Sequence, residues 1–74
     1  MNIDKAFYGK IVFLRLPSVM KENAINGLQL SYLALISYPT LRRKLTGESA
    51  LLLNEAIAIR DALAPGYTLE ELFC

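Results

Sequence analysis

Seventy-four residues, 54% of them hydrophobic and 20% charged, with a net charge of +1, describe one small domain. The chain has no histidine and a single cysteine, so it cannot form an intrachain disulfide, and neither a metal centre nor a cofactor site is expected. No apolar run reaches the roughly 20 residues needed to cross a bilayer. Nothing reads as a cleavable leader, so a cytoplasmic protein without a membrane partner is expected.

The charge is unevenly spread. Residues 1–47 carry seven Lys or Arg and two Asp or Glu, a net of +5, whereas residues 48–74 carry one Arg and five acidic residues, a net of −4. Such polarity suits a module with one face toward a polyanion, and equally suits head-to-tail association. The high apolar share means that every helix buries a wide face or that some apolar surface meets a partner.

Asn2 or Asp4 can open a first helix. Ile3, Phe7, Ile11 and Leu14 recur at helical spacing, with Ala6 and Phe13 widening the stripe. Tyr8, Val12 and Phe13 favour a strand over residues 8–16 as the alternative. The apolar spacing is nearer 3.6 than 2, so a helix is expected, ended by Pro17. Ser18 is placed to cap a short helical turn over Val19 to Ala24. Ile25 is the apolar anchor and Asn26 the N-cap of a further helix, Gly27 to Leu35, with Leu30, Leu33 and Ala34 turned inward.

The next helix has its start and stop written in. Ser37 can cap it by accepting a backbone N–H, and Pro39 falls in the first turn, where a missing N–H is harmless. Leu41 and Leu45 share one face. Thr40, Arg43 and Lys44 lie away from that face, with Arg42 on its flank. Gly47 supplies the left-handed residue that closes the helix. The segment reads as two turns with an apolar back and a cationic front.

Glu48 and Ser49 make a polar corner before the apolar run Ala50 to Leu53. A helix from about Leu53 to Ala64 follows, with Glu55 near its positive end and Ala56, Ile59 and Leu63 as its buried stripe, Ile57 one flank over. Pro65 and Gly66 stop it. Thr68 and Glu71 form a capping box for a last short helix, which Leu69, Leu72 and Phe73 fold back onto the core. Cys74 reads as a tolerated terminal thiol.

The run Ile36-Ser37, Tyr38-Pro39, Thr40-Leu41, Arg42-Arg43-Lys44, Leu45-Thr46-Gly47 resembles the second helix of the helix-turn-helix in Cro and phage-repressor-like proteins, the Xre family. The likeness continues through Glu48, Leu53 to Ile57 and Leu69 to Phe73, and covers roughly the last two-thirds of the chain. It implies an all-α, five-helix lambda-repressor-like domain spanning residues 1–74, with its helix-turn-helix at about 26–46. It implies sequence-specific binding of double-stranded DNA as a small transcriptional regulator of the kind carried by phages and mobile elements. The helix at about 38–45 would read the major groove, and a homodimer would span two half-sites about one turn apart.

The resemblance also assigns residues. Arg43 matches a position that faces the groove, where an arginine pairs with guanine. Ser37, Tyr38 and Thr40 at the helix start lie near bases or backbone. Arg42 and Lys44 supply further charged donors, and Thr46 matches a position that touches phosphate. Three positions depart from the pattern. Gly27 stands where the family often has a phosphate-gripping Gln. Ser31 replaces a small Ala at the helix crossing. Leu35 stands where a left-handed Gly is usual, so it must either strain or adopt another turn. Residues 18–26 look like an insertion between the first two helices.

No catalytic constellation can be assembled, so an enzyme is not expected. Histidine is absent, Glu70-Glu71 reads as a solvated helix start, Glu55 and Asp61 do not share a face, and there is no Gly-rich phosphate loop. The alternative function is an interaction module or small phage-type inhibitor that keeps the fold, binds a protein partner and does not bind DNA. The residues do not fix which surface dimerises; the last helix, with Leu69, Leu72 and Phe73, is the candidate.

Overall fold

The computed structural model describes residues 10–73, which form five α-helices and no strand. They are α1 (Leu16–Glu22), α2 (Gly27–Ala34), α3 (Tyr38–Leu45), α4 (Leu53–Leu63) and α5 (Leu69–Phe73). The architecture is all-α and consistent with a small helix-turn-helix domain, as the sequence implies.

The first helix differs from expectation. The part predicted from Asn2 or Asp4 lies outside the described residues, as does Cys74. Within them, Lys10 to Arg15 is turn and bend rather than helix or strand. Pro17 does not end a helix but sits in the first turn of α1, where its missing N–H leaves no bond unmade. Residues 18–26 are therefore mostly helix. Leu16, Val19 and Met20 form its buried side, a helical spacing of three and four.

α1, α2 and α3 end in the same way. Ala24 N–H donates to Lys21 O and Ile25 N–H to Met20 O; Leu35 N–H donates to Tyr32 O and Ile36 N–H to Ser31 O; Glu48 N–H donates to Arg43 O. Each end carries one left-handed residue, Ala24 at φ 55°, Leu35 at φ 59° and Gly47 at φ 86°. These are Schellman-type ends, which satisfy the last orphan carbonyls. Only Gly47 adopts the conformation without a steric penalty. A β-carbon there would also come within 3.3 Å of Val12 Cγ1. At Leu35 the expected choice is resolved in favour of strain, of the order of 1–2 kcal/mol.

The starts are equally defined. Asn26 Oδ1 accepts the Gln29 N–H at 2.8 Å, and Gln29 Oε1 accepts the Asn26 N–H at 2.9 Å. Thr68 and Glu71 make the reciprocal pair predicted for α5, at 2.8 and 3.1 Å. Ser37 precedes α3 but makes no backbone cap; its hydroxyl donates instead to Thr40 Oγ1 at 2.8 Å.

All five helices feed one core. Leu16 and Met20 of α1, Leu30 of α2, Leu41 and Leu45 of α3, Ile59 of α4 and Leu72 of α5 are sealed from solvent. Phe13 meets Phe73 edge to face, with ring centroids 5.1 Å apart. α2 packs on both α3 and α4. Leu33 departs from expectation: it is 54% exposed, and Ser31 takes the inward place beside Leu30 and Ala34. Removing three buried carbons from the centre of so small a core has a large effect. Leu45→Ala is expected to lose about 2–5 kcal/mol in urea unfolding; a variant that unfolds like the parent would show that Leu45 is not a core residue.

Candidate nucleic-acid interface

Burial of Leu41 and Leu45 sets the rotation of α3 and so decides where its polar residues point. Arg43 is exposed, and no ion pair or side-chain hydrogen bond engages it among the described residues. Thr40, three residues earlier, is half-buried, and Ser37, three before that, is exposed. Their hydroxyls are joined by the 2.8 Å bond. Ser37, Thr40 and Arg43 thus make one polar edge, which ends on a free guanidinium.

The other four candidates are placed differently. Lys44 follows Leu41 by three residues and so lies beside the buried face rather than away from it. Its Nζ donates to Ala50 O and pairs with Glu55 Oε1, both at 3.0 Å, and the two charged side chains are only 15% and 17% exposed. Lys44 therefore ties α3 to the loop and to the start of α4. Thr46 turns its hydroxyl back onto the helix end, donating to Arg42 O at 2.7 Å, with Glu48 Oε2 3.3 Å away. A phosphate oxygen at Thr46 would meet that carboxylate. Arg42 is half-buried, and its Nε is enclosed without a hydrogen bond. Tyr38 is half-buried with its hydroxyl oxygen withdrawn from solvent, which fits a lid on the core better than a probe of base edges.

The basic run of three thus presents less than three charges. Glu55 neutralises one of them, and the acidic second half of the chain supplies that partner. Glu55 also accepts the Leu52 N–H at 2.9 Å, capping α4. That bond is the main reason its pKa lies below the ordinary glutamate value; covering of the carboxylate works against it and Lys44 works with it. Glu71 is lowered likewise, first by the Thr68 N–H. Among the described residues no group of three or more Cys, Asp or Glu stands together to hold a metal. No helix among the described residues is long and apolar enough to cross a membrane.

The last helix divides its apolar side chains between core and surface. Leu72 is 1% exposed and Phe73 packs on Phe13, while Leu69 and Phe73 also line an open groove of about 430 Å³ with Leu51, Leu52 and Leu53. A second apolar surface lies on α2. Leu28, Tyr32, Leu33 and Leu35 are all more than half exposed, and the first three line a groove of about 530 Å³ together with Ser31. The signal was in the sequence: Gly27 to Ala34 contains no charged residue, although a surface helix ordinarily has a charged side. Apolar residues at 28, 30, 33, 34 and 35 surround the helix and mask which side is inward.

Compared with known proteins, the chain matches no family model, no curated protein and no solved structure. The likeness of residues 36–47 to a recognition helix therefore rests on those residues themselves.

The lowered carboxylates give an acid-side prediction. A group whose pKa is lower folded than unfolded stabilises the fold above its unfolded value, about 4.3 for glutamate, and that contribution is lost as pH falls through the folded value. Melting temperature should therefore drop below about pH 4, and Glu55→Gln should make that drop shallower. An identical acid profile for parent and variant would mean that the Leu52 and Lys44 contacts do not persist in solution.

Proposed function

We propose that the chain is a small DNA-binding regulator of the Cro and phage-repressor kind, with α3 as its recognition helix. The observation that carries this reading is the Ser37–Thr40–Arg43 edge. Donors at three-residue spacing along one side of a short helix suit a major groove, and the unengaged Arg43 suits the two acceptors of a guanine edge. The short left-handed turn at Leu35 between α2 and α3 supports it, because it sets two packed helices at an angle and leaves the second one's front open.

The contact set is narrower than the sequence implies. Arg43 is the base reader, with Thr40 and Ser37 beside it and Arg42 as the flanking charge. Lys44 and Thr46 act inside the fold, Lys44 as the tie to α4 and Thr46 as the helix end. Tyr38 supports the start of α3. One module with so few contacts binds duplex weakly, so two copies on a two-fold related site are part of the proposal.

A second reading keeps the fold as a protein-interaction module without DNA binding. The exposed apolar side of α2 and the intramolecular use of Lys44 favour it. Fluorescence anisotropy with labelled duplex pools separates the two. Near 50 mM salt the parent should bind and lose affinity as salt rises, by about 0.9 log units per log unit of salt for each phosphate neutralised. Arg43→Ala should cost about 1–3 kcal/mol on the preferred site and relax specificity at one base pair. Its circular dichroism should match the parent's, since Arg43 touches nothing in the core. No binding by the parent at low salt, or parental affinity and specificity in Arg43→Ala, would overturn the DNA reading.

A further inference from the structure

The outward side of α2 carries a contiguous set of exposed apolar side chains. Leu28, Tyr32, Leu33 and Leu35 are 60, 85, 54 and 92% exposed. Tyr32 and Ser31 line both the 530 Å³ groove, with Leu28 and Leu33, and a second groove of about 490 Å³, with Leu35 and Ile36. Tyr32 is therefore a ridge between two apolar furrows. Isolated exposed leucines are ordinary, but a contiguous set on one helix is not.

Leu35 adds an independent observation. It is the most exposed large apolar residue of the set, and it is also left-handed at φ 59°. In a lone domain both features are unfavourable. Asparagine or glycine would relieve the backbone and hydrate more readily. A leucine in that place gains only when something covers it.

We infer that this face is a homotypic interface, on which α2 of one copy packs against α2 of a second copy of this chain about a two-fold axis. A two-fold contact sets a patch against itself, so any charge in the patch would face its own like. This patch has none: α2 is uncharged throughout, and so are Leu35 and Ile36 after it. An acidic or basic partner would gain nothing from such a face. Two of its polar atoms are already served, Ser31 Oγ by Leu28 O and Gln29 Oε1 by the Asn26 N–H. The shape fits as well, since the Tyr32 ridge of each copy has the furrow beside Leu28 and Leu33 to enter on the other, which leaves Ser37 to the edge of α3.

The area is of the right order. The four side chains present on the order of 500 Å², so a two-fold contact would bury about 1,000 Å² in all, at the low end where weak contacts lie. A dimer held by so small an area is weak, and its strength depends on packing more than on area. The inference deepens the two-copy part of the proposed function but holds with or without DNA.

Sedimentation equilibrium of the full chain without DNA tests it, from about 5 to 500 μM. The parent is expected to pass from monomer to dimer across that range. Tyr32→Glu should remain monomeric, because each copy would bring a charge onto the axis. Leu35→Asn guards against a folding artefact: it relieves the left-handed strain, so it should melt at or above the parental temperature while weakening the dimer at least tenfold. A parent that stays monomeric throughout would overturn the inference and leave the face to a different protein. Parental dimerisation in both variants would overturn it equally, by placing the contact elsewhere. Neither result bears on Arg43, so failure here is distinguishable from failure of the DNA reading.

Discussion

Leu41 and Leu45 are completely withdrawn from solvent, four residues apart on a helix of two turns. Their burial anchors α3 at one angle of rotation, and most of what is distinctive about the domain follows from that angle. Thr40 and Arg43 are carried outward. Arg42 and Lys44, each three residues from a buried leucine, are carried to the two borders of the buried face. The end of the helix is then determined too: Leu45 O accepts the Val12 N–H at 2.9 Å, and Gly47 must turn the chain where a side chain would press on Val12. Each helix adds at least one sealed side chain to the same core, so a small chain reaches a defined packing without disulfide or metal.

The border position of Lys44 explains how a chain with a concentrated basic run keeps a modest positive surface. A lysine at the edge of a buried face has the reach to find a carboxylate on the next helix, and Glu55 is already held there by its bond to the Leu52 N–H. The pair closes the loop after α3 with one charge from each half of the chain. Its cost to the outward face is one cation. The free Arg43 then carries most of the charge that α3 offers a ligand, which favours recognition through geometry over a broad electrostatic grip.

Much of this was legible in the residues. Asn26, the Leu41–Leu45 pair, Gly47, the Ala56–Ile59–Leu63 stripe and the Thr68–Glu71 box act as local chemistry says they must, because each depends on neighbours within one turn. The misreadings have physical causes. Pro17 punctuates equally well after a helix and in its first turn, and only the packing of Leu16 and Met20 decides between them. Leu33 looked inward because α2 is apolar all round, while the residue that faces the core beside Leu30 is a serine whose hydroxyl is satisfied by its own helix. Leu35 and Ala24 are left-handed without being glycine, a choice made by tertiary packing against local preference. Helical spacing points Lys44 outward and the family resemblance gives Thr46 to phosphate, but their partners at Glu55 and Arg42 O appear only once the chain is folded.

The central claim is that the Ser37–Thr40–Arg43 edge of α3 is the face that meets a nucleic acid. Residue-resolved NMR of the full chain, titrated with a short DNA duplex at low salt, tests it most directly. The account predicts saturable shifts centred on Ser37, Thr40 and Arg43 that reverse on adding salt, while Ile59 and Leu63 in the core stay unmoved. Saturable shifts that spare this edge, or no shifts at all, would contradict it.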